Sequence, residues 1–325
     1  MQWEVRKMDI RGKIRLFKDS SRQFGIILVI LLMILIFSYG SDVFFTYGNF
    51  ISILQQTAIK GVMAVGMTLI IISGGIDLSA GAIAGLSSMV AATIMTKYSG
   101  DYVVPLSIIV ALLIGIICGF INGALIAFFD LQPFLVTMGT MSLFRGLDYI
   151  YSGALPVRNL PQSFLGFMNS MNSSVPIPVI ILLSLSIIAF LGIKYSRYGR
   201  HIFAVGGNEE ATRLSGINVR EIKIRTYIFG ALTSVLAGII YIGRLSAADP
   251  NMGDGYELDA IAAAAIGGAS MSGGKGGIIG SLMGAFMLAM LANGLTLLNI
   301  QSFYQTAATG VIIIIAVLID KFSNK

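Results

Sequence analysis

The chain has 325 residues, of which 56% are apolar and 12% charged, with a mean hydropathy of +0.85 and a formal net charge of +6. A charged fraction about half that of ordinary soluble domains excludes a water-soluble globular protein and points to a polytopic membrane protein. One cysteine, Cys118, and one histidine, His201, exclude an intrachain disulfide and a clustered Cys/His metal site.

Residues 1–23 are basic and precede the apolar run 24–40. This arrangement mimics a secretory signal, and Ser38-Tyr39-Gly40 loosely fits a small-x-small cleavage site, but further spans follow and 24–40 reads as a retained first span. A transmembrane helix needs about 20 mostly apolar residues. Windows of that kind predict further spans at 51–72, 75–96, 103–129, 177–193, 226–243, 277–298 and 303–320. Two weaker windows, 133–152 and the short Ala/Gly-rich 258–271, bring the expected number to ten. The fold class is therefore all-α and polytopic.

An ionisable side chain in the hydrocarbon core costs on the order of 3 kcal/mol, so each one calls for a partner or a function. Lys60, in the second span, has no acid within a helical turn and is expected to face a wet cavity or to snorkel outward. Asp77, in SGGIDLSAG at 73–81, sits where the third span begins and is placed to cap it, with a pathway role as the alternative. Asn122 in the fourth span and Asn293 in the ninth are able to bond a hydroxylated solute or to bridge neighbouring helices. Arg145 and Asp148 stand three apart on one helix and are expected to neutralise each other, with a pathway role for Arg145 second.

Between the sixth and seventh spans lies a polar island, 194–225, reading KYSRYGRHIFAVGGNEEATRLSGINVREIKIR. Within it Asn208 is placed as an N-cap, Glu209 and Glu210 fall in a first turn where the helix dipole favours anions, and Gly216 supplies a left-handed stop. Two turns of helix are marginal alone in water, so this one is expected to pack against something. After the seventh span, residues 244–263 carry Asp249, Asp254, Glu257 and Asp259 ahead of the short eighth span. A short, Gly-interrupted span marks a broken or re-entrant helix, which makes Glu257 and Asp259 candidates for a gating loop.

Orientation follows from counting Lys and Arg beside the spans. With the N-terminus in the cytoplasm, seven basic residues precede the first span, seven fall in the island, and Lys275, Lys321 and Lys325 are also inside, against Lys97, Arg158 and Arg244 outside. Both termini and the island are thus expected in the cytoplasm. The positive charge then follows from topology and calls for no nucleic-acid partner.

Many of the 38 glycines form small-xxx-small faces, Gly81/Gly85, Gly115/Gly119/Gly123 and Gly276/Gly280/Gly284, which let helix backbones approach. SGG at 73–75 recurs at 272–274, and Gly81/Gly85 recur at Gly280/Gly284, all at one offset of 199 residues. The offset predicts a same-orientation repeat of spans two and three in spans eight and nine. Gly274-Lys275 fails the spacing of a phosphate loop, since Ala269 holds its first position and Gly276 its Ser/Thr position. GDGYEL at 253–258 lacks the third glycine of a dinucleotide fingerprint. The chain is expected to bind no cofactor and to hydrolyse no ATP itself. No paired acids, Ser/His arrangement or metal cluster share one depth, so no catalytic residue and no metal ligand is assigned. An ion-gradient-driven secondary transporter also uses repeats and broken helices, but Asp148 is the one carboxylate well inside a span, too few for a proton relay.

SGGIDLSAG at 73–81, PFLVTMGTMSLFRG at 133–146, AVGGNEEATRLSGI at 204–217 and GYELDAIAAAAIGGASMSGGKGGIIGSLMGA at 255–285 together resemble the permease subunits of bacterial monosaccharide ABC importers, the ribose type most of all. The resemblance covers roughly 45–320; Lys60, Asp148 and the basic leader stand outside the motifs that carry it. Hydropathy and charge place a permease domain over 24–320, flanked by cytoplasmic segments 1–23 and 321–325, and the resemblance implies that it acts as a homodimer in the bacterial cell membrane, the inner membrane in a Gram-negative cell. It implies an ATPase subunit on the cytoplasmic side, which uses ATP and Mg²⁺, and a sugar-binding protein outside. Alternating access would carry a ribose-like sugar, and nucleoside or furanone permeases share related architecture. The island helix is implied to be the coupling helix: Gly207, Asn208, Ala211, Ser215 and Gly216 carry over from the motif, beside Glu209 and Glu210 at the helix start.

Overall fold

A computed structural model describes residues 24–172 and 175–323; the basic leader 1–23 lies outside the described residues. The chain is an all-α polytopic membrane protein. Its helices are α1 (Phe24–Gly40), α2 (Tyr47–Ile72), α3 (Ala80–Lys97), α4 (Val103–Phe128), α5 (Pro133–Ser152), α6 (Gln162–Met168), α7 (Ile177–Tyr195), α8 (Arg197–Gly207), α9 (Glu209–Leu214), α10 (Val219–Leu245), α11 (Tyr256–Ile266), α12 (Ile278–Leu297) and α13 (Ser302–Ser323). Two antiparallel ladders of two residues a side join β1 (Val157–Arg158) to β4 (Ala247–Ala248) and β2 (Met171–Asn172) to β3 (Val175–Pro176). Neither these ladders nor α6 and α8 are anticipated by the hydropathy windows, because such short elements carry no span-length signal.

Six of the described helices, α2, α3, α4, α7, α10 and α12, are long and apolar enough to cross a membrane. Helix α5 has 20 residues but includes Arg145 and Asp148. The expected third span starts five residues late, at Ala80, because 73–79 forms a turn with Gly74 at φ +85°. That turn is tied down by Tyr227 of α10, whose hydroxyl donates to the Ile76 carbonyl at 3.2 Å. The expected span 258–271 is instead the 11-residue α11, which at 1.5 Å per residue runs about 16 Å, half a bilayer core. It stops at Gly267, and Gly268 follows in a left-handed conformation.

Helix α2 is the axis of the bundle. Its second half, from Gly61 to Ile72, is buried without interruption. Small residues make this possible: the side of Gly61 receives Leu182 of α7, and Gly66 lies against Gly230 and Thr233 of α10. Thr68 of α2 donates to the Ser281 hydroxyl of α12 at 2.7 Å, and Asn293 of α12 donates to Asn49 of α2 at 2.8 Å. Helix α4 crosses α10 along Gly115, Gly119 and Gly123, where an added Cβ would press on Val235, Ile228 and Ile224. The other side of α4 leaves Ile109, Leu113, Ile117 and Phe120 exposed, as a lipid-facing surface requires.

Candidate functional site

The helix in the polar island stands out from the bundle. Asn208 is its N-cap: the side-chain oxygen accepts from the Ala211 N–H at 2.9 Å, while Glu209 and Glu210 occupy the first turn. The helix ends in a paired-carbonyl cap, Gly216 N–H to Arg213 O at 3.0 Å and Ile217 N–H to Thr212 O at 3.4 Å, with Gly216 at φ +79°. Of its residues only Thr212 is buried; Gly207, Asn208, Glu209, Glu210, Ala211, Arg213, Leu214, Ser215 and Gly216 are exposed. One ion pair, Lys223 Nζ to Glu209 at 2.7 Å, ties it to α10. Asn208→Ala is expected to cost about 1 kcal/mol of local helix stability, seen as faster hydrogen exchange at the Ala211 amide; unchanged exchange there would show that the cap contributes nothing.

Helix α8 supplies the platform. Ser196 caps it by accepting from Gly199 N–H at 2.9 Å, and Ile202 and Val205 bury its inner face. Tyr198 meets the Thr226 hydroxyl at 2.9 Å, and burial pushes its phenol above the usual range, so it stays neutral. The platform ends in a glycine junction. Gly206 lies between the two SGG turns: a Cβ there would sit on the Ile72 carbonyl and 2.7 Å from Gly274 N, and one on Gly273 would lie 3.0 Å from Gly74 Cα. Gly274 N–H also donates to the Ile72 carbonyl at 2.9 Å. The two turns recognised as a repeat in the sequence therefore touch each other at the root of α9. A cleft of ≈ 370 Å³ opens beside this root, walled by the 73–75 turn, residues 130–133 and Lys223.

The polar residues singled out in or beside the expected spans divide into two groups. Asp77 is not the cap of α3: Ser79 holds that position without a side-chain bond, and Asp77 Oδ1 instead accepts from Ser79 N–H at 2.8 Å and its hydroxyl at 2.6 Å. Asn122 donates to the Ser79 hydroxyl at 2.8 Å and accepts from Thr140 at 2.6 Å, so a fully buried network joins α3, α4 and α5. Asn293 is buried in its bond to Asn49. Arg145 and Asp148 lie close together but are not hydrogen-bonded to each other as the spacing suggests. Arg145 donates to the carbonyls of Pro250 at 3.0 Å and Met252 at 2.7 Å, while neither carboxylate oxygen of the buried Asp148 has a hydrogen-bond partner. Glu257 is turned inward against Gly81 and accepts from Gly255 N–H at 3.2 Å.

Lys60 belongs to the second group, which is partly accessible. It neither snorkels nor stands alone, because Asp259 of α11 pairs with it at 2.8 Å. Sequence spacing hides this partner, which arrives from another helix about 200 residues away.

Over residues 49–319 the chain matches the family described as branched-chain amino acid transport system / permease component. The chain belongs to this permease family. It is a multi-pass permease of the bacterial cell membrane, a transport component and not an enzyme. Among the permeases it resembles is the ribose import permease protein RbsC of Escherichia coli K12, 43% identical over 298 residues, 90% of this chain and 92% of the relative. RbsC of Bacillus subtilis is 40% identical over 94% of each chain, and the galactose/methyl galactoside import permease MglC of Escherichia coli K12 is 33% identical over 95% of this chain and 97% of the relative. No solved structure matches this permease. Within the site, sequence reasoning missed Gly206, Ser79, Thr140 and Asn49, each of which acts through a residue distant in the chain.

Proposed function

We propose that this permease is the membrane subunit of an ABC importer carrying a monosaccharide of the ribose type, by alternating access driven by ATP hydrolysis in a separate cytoplasmic ATPase. The identity with ribose import permeases along nearly the whole chain carries this reading. A periplasmic or lipid-anchored sugar-binding protein delivers the solute, and two copies of the permease form the translocation unit. The chain itself binds no cofactor; ATP and Mg²⁺ belong to the ATPase.

The topology proposed with this function has ten membrane segments, α1 to α5, α7 and α10 to α13, with α11 reaching only partway and both ends in the cytoplasm. The basic residues of the island support that orientation. Contact between the SGG turns supports a parallel relation of α2–α3 to α11–α12. In this arrangement α9 is the coupling helix. Its exposed Glu210 and Leu214 are available for a partner, and its root at the glycine junction links any displacement to α2 and α11. Coupling requires that α9 bind the two ATPase states unequally.

In vesicles carrying the complete importer, vanadate is expected to abolish sugar uptake and an uncoupler to leave it running; abolition by the uncoupler alone would reject the ABC reading in favour of an ion-driven carrier. Glu210→Arg and Gly216→Val are each expected to lower sugar-stimulated ATPase activity with membrane insertion intact. Unchanged stimulation in reconstituted liposomes would remove α9 from the coupling path.

A further inference from the structure

We propose that the outward half of α2, together with the facing sides of α10 and α11, forms a binding surface within the permease for a neutral, polyhydroxylated solute. The proposal rests on the sugar-import reading and names where in this chain the sugar is held. Ser52, Gln56 and Lys60 follow one another at i, i+4 and i+8, so they share one side of α2. All three are half-buried, whereas Ile53, Thr57, Ala58 and Ile59 around them are buried. The outward half of α2, unlike its fully buried inward half, thus keeps accessible surface that includes this polar stripe, beside the half-buried Leu54 and Gln55. Lys60, near the midpoint of α2, pairs with Asp259 at 2.8 Å, yet the two side chains keep 16% and 14% of their surface accessible.

The other walls bring complementary chemistry. Arg244 of α10 and Gln56 both donate to the Ser52 hydroxyl at 3.4 Å, contacts long enough to be exchanged for a ligand at small cost. Tyr241 of α10 and Tyr256 of α11 stand edge to face, ring centroids 5.7 Å apart, which supplies aromatic surface for the C–H face of a sugar ring. Asp259 lies one turn beyond Tyr256 on α11, a half-length helix of the kind that lines solute sites near the bilayer midplane. The hydrogen-bonding groups point to the ligand class. Lys60 and Asp259 satisfy each other's charge, and hydroxyl groups can bond to Gln56, to the Arg244 guanidinium and to the carboxylate without separating that pair. A purely structural pair would gain little from being ionic, since apolar replacements of a buried pair are often neutral or stabilising.

That last point supplies the test. The double variant Lys60→Met/Asp259→Leu, in the full importer with its ATPase and binding protein in proteoliposomes, is expected to assemble and melt like the unchanged permease. Uptake of radiolabelled ribose is expected to fall by at least about tenfold, equivalent to about 1.4 kcal/mol, while sugar-stimulated ATPase activity persists. Normal uptake by the double variant would reduce the pair to a structural role and overturn the proposal. Should the double variant not assemble, Gln56→Leu decides: raised KM for uptake supports the surface, and an unchanged KM overturns it. Failure of the unchanged importer to take up ribose, galactose or allose would instead overturn the sugar-import reading, and this proposal with it.

Discussion

Gly206→Ala is expected to leave little assembled permease in the membrane. The new methyl group would fall on the Ile72 carbonyl oxygen and 2.7 Å from Gly274 N. Both are backbone atoms, and they are already bonded to each other at 2.9 Å, so no side chain can rotate to make room. Gly273, with φ +79°, closes the other side, its own Cβ position lying 2.6 Å from the Gly206 carbonyl. Overpacking a core costs about 1–3 kcal/mol, occasionally more, and rigid walls on all sides place this substitution at or above the upper end. The neighbouring Gly207 is a built-in control, since a Cβ there meets nothing within 4 Å. Gly207→Ala is therefore expected to match the unchanged permease in detergent-solubilised yield and thermal midpoint while Gly206→Ala falls far below both. Equal behaviour of the two variants would mean that the SGG turns and α8 do not meet as described.

Replacing Asn122 by Leu is expected to destabilise the bundle by about 2 kcal/mol, from two interhelical hydrogen bonds in a setting where each is worth roughly 0.6–1.7 kcal/mol. Asn122 sits at the centre of the buried network, donating to Ser79 on one side and accepting from Thr140 on the other. Leucine nearly preserves the volume, so the loss isolates the polar contribution. Asn122→Asp is expected to cost more, because an ionised carboxylate cannot donate to Ser79 and would share a dry site with Asp77. Thermal midpoints in detergent, ordered unchanged, Leu, Asp, would support the network; a midpoint for Asn122→Leu equal to that of the unchanged permease would show that it contributes nothing.

The polar network also shows how far local spacing carries. An aspartate just before a helix predicts a cap, and Asp77 is two residues short of the capping position, so it grips Ser79 instead. Arg145 and Asp148 fit the rule for neighbours on a helix face, but the carbonyls of Pro250 and Met252 reach the guanidinium from the segment before α11. The rule accounts for one helix in water, where no third group competes. By contrast Asn208 and Gly216 act as read, because a cap bonds an amide three residues away and a left-handed stop needs only its own φ.

Sequence by itself determined that this is an all-α membrane protein, roughly where its long helices run, and where the island helix starts and stops. Those properties depend on transfer of side chains into lipid and on bonds spanning a few residues, and both are written consecutively along the chain. Tertiary structure decided that Lys60 meets Asp259, that α11 is half a span, and that Gly74, Gly206 and Gly273 close on one another. Those depend on which distant segments come within a few ångströms, where a single carbonyl or carboxylate from another helix outweighs any neighbour in sequence.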